Sequence, residues 1–182
     1  MLWAGRGSRP SRSWPPCRWK CPKTRRPSAK SWKLRMNPPY FIDANIPIYA
    51  AGTAHPLKDP AIRTLRLAAQ RPESFLTSAE VLQELIHYYS SRNRWQLGYQ
   101  VLHRFAAVVN GRIESVHPED ALRAAEMVGQ LAGVSARDCF HAAVMRRVGT
   151  DRIVSADQNL DRIPWLQRSD PLNVALLVAQ LP

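Results

Sequence analysis

Four carboxylates, Asp43, Glu84, Asp138 and Asp157, are the side chains of this 182-residue chain that offer chemistry. Brought together, they would repel one another, raise each other's pKa values and cost the fold stability. Divalent cations relieve that repulsion. An all-oxygen ligand set suits Mg²⁺ or Mn²⁺, which keep water in their coordination spheres. Two such ions can clamp the attacking and leaving oxygens of a phosphodiester and lower the pKa of a bound water. No histidine base is then required. The question is which of the four the fold must bring to one place.

Asp43 ends the apolar run Tyr40-Phe41-Ile42, which reads as a short buried strand, and Asp157 follows the strand-like Arg152-Ile153-Val154-Ser155 by two residues. In an open α/β sheet the crevice beyond the carboxyl ends of the strands is where ligands bind, so both acids fall on that edge. Glu84 borders the apolar stripe of Val81, Leu82, Leu85, Ile86 and Tyr89 on a helix, which fits a solvated charge and a cleft-facing ligand equally well. Asp138 opens a helix that is apolar nearly all round. The helix dipole alone would favour an acid there. If it is buried, it needs a partner, either Arg137 next door or a metal.

The positioning elements alternate. Helices are expected over 60–71, 78–91, 94–107, 118–132 and 135–148, and strand-like runs at 40–42, 75–77, 112–116 and 152–155. Thr77 and Glu80 have capping-box spacing at the second helix, Ser135 can cap the last and Gly149 can stop it. The apolar end from Asn173 fits a strand or a helix. Strands separated by helices predict a central parallel sheet with helices on both faces, an α/β domain over 37–182.

Four segments carry a family resemblance. They are Phe41-Ile42-Asp43-Ala44-Asn45; Glu84 within Glu80-Val81-Leu82-Gln83-Glu84-Leu85; Ala136-Arg137-Asp138-Cys139-Phe140-His141-Ala142-Ala143; and the run from Ile153 through Asp157 to Pro164. In this order they resemble the PIN-domain ribonucleases, and among them the VapC-type toxins of toxin–antitoxin pairs. The resemblance implies a PIN-like three-layer sandwich and an Mg²⁺- or Mn²⁺-dependent endoribonuclease. Asp43 and Asp138 would be its main metal ligands and Glu84 and Asp157 its other acids. Asn45 and Ser155 would be polar supports, with Asp161 in a supporting position. RNA as substrate, a cognate antitoxin as partner and a homodimer are further implications. The long N-terminal extension departs from such toxins.

Composition narrows the alternatives. The net charge is +12, but residues 1–36 hold 11 basic residues and no acid, leaving 15 basic and 14 acidic residues in the remainder. Global charge is therefore weak evidence for a polyanionic ligand. Residues 1–36 also contain four of the six tryptophans and five prolines, and show no hydrophobic periodicity. They are expected to be disordered, and the simplest reading is that translation starts at Met36. Neither a bilayer-length apolar run nor a secretory h-region is present, so a soluble, cytoplasmic protein without membrane contact is expected.

Cys17, Cys21 and Cys139 make no disulfide framework. The five histidines lack metal-ligand spacing. His87, three residues after Glu84, is expected to be an ordinary helix-face histidine. Phosphate-binding glycine loops and a GxSxG elbow are missing. A haloacid-dehalogenase-type phosphatase would need an acid where Asn45 stands. An inactive RNA-binding module of the same fold would be expected to have lost one of the four acids. A basic DNA-binding protein would depend on residues 1–35.

Overall fold

The computed structural model describes residues 38–181, so the expectations for residues 1–36, including Cys17 and Cys21, lie outside the described part. Strand β1 (Tyr40–Ile42) is buried along its whole length, as expected of a central parallel strand covered on both faces. Then come helices α1 (Asn45–Ala51) and α2 (Lys58–Gln70), strand β2 (Phe75–Ser78), helices α3 (Ala79–Ser90) and α4 (Trp95–Val108) and strand β3 (Ile113–Glu114). The chain continues through helices α5 (Pro118–Gln130) and α6 (Ala136–Val148), strands β4 (Arg152–Val154) and β5 (Gln167–Ser169), and helix α7 (Val174–Ala179).

Among the described residues the strands form one parallel sheet in the order β3-β2-β1-β4-β5. Phe41 pairs with Leu76 on one side and Ile153 on the other. The chain winds outward from β1 in one direction through β2 and β3, then crosses back to β4 and β5. The order therefore reverses between β1 and β4, and the carboxyl ends of those two strands flank the switch-point crevice. Helices sandwich the sheet. The buried core runs through Phe41, Phe75, Leu85, Phe105, Met145 and Ile153.

Three features differ from the sequence expectations. Thr77 does not cap α3. It is the buried third residue of β2, and its hydroxyl donates to the Ile42 carbonyl at 2.9 Å, tying β2 to β1. Ser78 is the N-cap by position, without a side-chain cap bond. Helix α1 was not expected, because seven residues with Pro47 in the first turn carry too little periodicity to read. Strand β5 was also missed. Its Gln-Arg-Ser sequence is that of a polar edge strand rather than an apolar run.

Other signals agree with the structure. Ser135 and Asp138 form a reciprocal capping box on α6, and Gly149 ends that helix at φ 80°, in the left-handed region where a Cβ is disfavoured. The apolar C-terminal end is helical.

Helices α3 and α4 pack so closely that a Cβ at Gly98 would overlap the Cβ of Tyr89. Gly98→Ala should therefore destabilise the fold by about 1–3 kcal/mol despite the better helix propensity of alanine. A lowered urea midpoint at unchanged slope would show this. An unchanged or raised midpoint would mean that the helix pair yields.

Candidate metal centre

Asp43 sits just beyond β1, on the switch-point crevice, and is 7% exposed. Its Oδ1 accepts the Ala44 N–H at 2.6 Å. Its Oδ2 accepts the Asn45 side-chain amide and the Ser155 hydroxyl, each at 2.5 Å. Asn45 also donates to Ser155 Oγ at 2.8 Å, and its Oδ1 accepts the Ala156 N–H at 3.2 Å. Asn45 lies in the first turn of α1 and Ser155 directly after β4, so the two elements lock the carboxylate from opposite sides. Burial nevertheless raises the Asp43 pKa, outweighing the nearby His141 charge and the Ser155 hydrogen bond. This anion lacks sufficient compensating positive charge.

Glu84, on α3, points into the same crevice. Its Oε1 accepts from Arg137 at 2.9 Å and its Oε2 faces His141 Nε2 at 3.3 Å. Burial would raise the Glu84 pKa, but His141 and Arg137 together hold it below the ordinary value. His141 is 2% exposed on α6 and stacks obliquely on Phe41, with ring centroids 5.6 Å apart. Burial favours its neutral form, yet the bond to Glu84 and the charges of Asp43, Glu84 and Asp138 raise its pKa overall. One donor atom each from Asp43, Glu84 and His141 can lie within 4.8 Å of one another.

His141 has no metal-ligand spacing to another residue along the chain, because its partners Glu84 and Asp43 come from distant elements. The available signal was different. A histidine inside a helix that is apolar on nearly every face must be buried, and a buried imidazole needs a partner.

Asp138 and Asp157 stand beside this cluster. Asp138 is half-buried one turn before His141, and its Oδ2 accepts from the Ser135 N–H at 3.3 Å and Oγ at 2.7 Å. Arg137, one of the partners considered for Asp138, pairs with Glu84 instead. Asp157 donates its N–H to Ser155 Oγ at 3.0 Å and accepts the Asn159 N–H at 2.9 Å, so its backbone is one hydroxyl away from Asp43. Asp161 is more remote. It pairs with Arg168 at 2.8 Å, and Arg168 in turn donates to the Ser155 carbonyl at 3.0 Å. His87 is exposed on α3, as expected.

Two carboxylates converging beside a third half-buried one, with Asp43 short of positive charge, are what a divalent cation would satisfy, so these residues fit one. The PIN-domain sequence profile matches residues 40–166, a span that holds all four acids. The chain belongs to the PIN-domain family. Within it, this PIN domain is 35% identical over 131 residues to a VapC ribonuclease of Mycobacterium bovis and to ribonuclease VapC13 of Mycobacterium tuberculosis, in each case 70% of this chain and 97% of the relative. Among solved structures it shares its fold with M. tuberculosis VapC20, described as a sarcin–ricin loop cleaving toxin, at a TM-score of 0.57 and 23% identity, covering 69% of this chain and 95% of that one. VapBC2 of Rickettsia felis, solved bound to a promoter DNA fragment, gives a TM-score of 0.56 at 22% identity, covering 71% and 96%.

The pair at the centre of this PIN domain has a pH signature. His141 has a raised folded pKa, so its contribution to stability is full below its ordinary value of 6.5 and is lost as pH rises through the folded value. Glu84, with a lowered pKa, contributes above its ordinary value of 4.5 and loses that contribution as pH falls through the folded value. In EDTA, the melting temperature should fall as pH rises above the ordinary histidine value of 6.5 and through the raised folded value, and His141→Gln should flatten that decline. Equal slopes in the two proteins would rule out the pairing.

Proposed function

We propose that this PIN domain is a metal-dependent endoribonuclease that cleaves RNA phosphodiesters, and that it acts as the toxin of a toxin–antitoxin pair. The observation that carries the nuclease reading is the convergence of buried Asp43 with Glu84 at the β1–β4 switch point, with Asp138 one helical turn from His141. Asp43, Glu84, Asp138 and Asp157 would hold Mg²⁺ or Mn²⁺. Asn45 and Ser155 fix the Asp43 carboxylate, and Asp161 acts at a further remove by aligning Arg168 under the Ser155 carbonyl. Bound there, the cations supply positive charge to the phosphate and make water a stronger nucleophile.

The side chains set the rest. Arg137 and His141 orient Glu84, and the Ser155 and Asn45 donors hold the Asp43 carboxylate in place. With His141 almost fully buried, it is poorly placed to deprotonate a ribose 2′-hydroxyl. Water is therefore the nucleophile, and the products should carry 5′-phosphate and 3′-hydroxyl ends. A phosphatase of the haloacid-dehalogenase type is disfavoured, because Asn45 donates to Asp43 and cannot transfer protons.

The toxin reading rests on the VapC relatives. It brings with it a cognate antitoxin and a homodimer. The test is incubation of the full chain with a mixed RNA pool in Mg²⁺, in Mn²⁺ and in EDTA, followed by end-group analysis. Cleavage surviving EDTA, or 2′,3′-cyclic phosphate ends, would reject the metal mechanism.

A further inference from the structure

None of the chain's 14 acidic residues falls between positions 85 and 113, while four of its arginines do. That stretch covers the second half of α3, the α3–α4 corner and all of α4. Along α4, Trp95, Tyr99 and His103 recur every four residues and so follow one side of the helix, Tyr99 exposed, His103 half-buried and Trp95 half-buried with one side packed on the core. Their rings touch in series, with centroids 6.3 Å apart for Trp95–Tyr99 and 4.2 Å for Tyr99–His103. Tyr99 is 52% exposed, so a face of its ring is open to a stacking partner. At the corner, Arg92 lies 3.9 Å over the Tyr88 ring, and Arg92 and Arg94 are both exposed. Exposed Gln96 and Gln100 keep the outer surface of α4 from being an aliphatic patch.

We infer that this face binds single-stranded RNA outside the cleaved phosphodiester, with bases stacked on Tyr99 and Trp95 and phosphates on Arg92 and Arg94. Aromatic faces accept any base, and the cations match the backbone charge, so the binding is sequence-tolerant. The lack of acids removes the repulsion that a polyanion would meet elsewhere on this nearly neutral domain. Glu84 lies six residues before the end of α3, about 9 Å along its axis at the α-helical rise, and Arg92 stands in the turn that follows, so one strand can reach both. This inference rests on the RNA reading above.

The test uses the full chain carrying Asp43→Asn in EDTA, conditions expected to suppress cleavage, and follows the anisotropy of a labelled single-stranded RNA and of its duplex. Tyr99→Ala should weaken single-strand binding about tenfold, on the scale of losing one stacked base, while Tyr99→Phe stays within about twofold of the parent. Arg92→Gln with Arg94→Gln should lower the salt slope of binding by about 1.4, from two lost phosphate contacts. The far-ultraviolet circular dichroism of each variant checks folding.

If the otherwise wild-type chain cuts RNA but none of these changes alters binding, this inference fails alone. If the chain does not cut RNA yet Tyr99→Ala and the arginine changes weaken binding, the nuclease reading fails and the binding face stands. If Tyr99→Ala changes the sedimentation of the protein and leaves RNA affinity intact, the face is a protein interface and the inference is overturned.

Discussion

Asp43→Asn is expected to lower RNA cleavage by at least two to three orders of magnitude, the scale on which a charge contact to the transition state is lost. The substitution keeps the shape of the side chain and both of its oxygen-side neighbours, but removes the anion that faces the crevice. Asparagine also brings a donor where the Asn45 amide and the Ser155 hydroxyl already donate, so one of those bonds must reverse or break. Glu84→Gln should cost somewhat less, because Arg137 and His141 can still orient the amide oxygen. His87→Ala, on the exposed face of α3, is the control and should change the rate little. Single-turnover cleavage separates these effects from substrate binding. A fall of less than tenfold for Asp43→Asn would remove that carboxylate from the reaction.

Divalent metal should also stabilise the protein. At about 100 times its dissociation constant, a ligand that binds only the folded state adds about 2.7 kcal/mol, or roughly 5–10 °C in melting temperature for a domain of this size. The gain has a specific source here, because Asp43 is a buried anion whose pKa burial has raised. Asp43→Asn removes that desolvated charge, so the metal-free variant should melt at or above the temperature of the metal-free parent and respond little to Mg²⁺ or Mn²⁺. Differential scanning calorimetry with and without EDTA reads both effects. A parent with no metal-dependent shift at millimolar concentration would reject the site, as would a variant that responds like the parent.

Much of the scaffold was legible in advance because its signals are local. The apolar run before Asp43, the serine cap and glycine stop of α6, and the alternation of strand and helix are all properties of short segments. What failed was either too short or too polar to leave a pattern. Helix α1 is under two turns, β5 is a polar edge strand, and Thr77 was taken for a cap when its hydroxyl bridges two strands.

The site divides along the same line. The amino-acid sequence by itself determined that Asp43 and Asp157 follow strands, that Asp138 opens a buried helix, and that the ordered motifs resemble PIN domains. Those statements depend on backbone periodicity and chain order alone. Only the tertiary structure decided which groups meet. The reversal of strand order between β1 and β4 sets Ser155 against Asp43 across 112 positions of sequence. The packing of α3 near α6 delivers Glu84 to Arg137 and to the buried His141. Such partners are chosen by burial and by the electrostatic cost of leaving a charge unpaired, which depend on every element packed around them and leave no periodic trace in the chain.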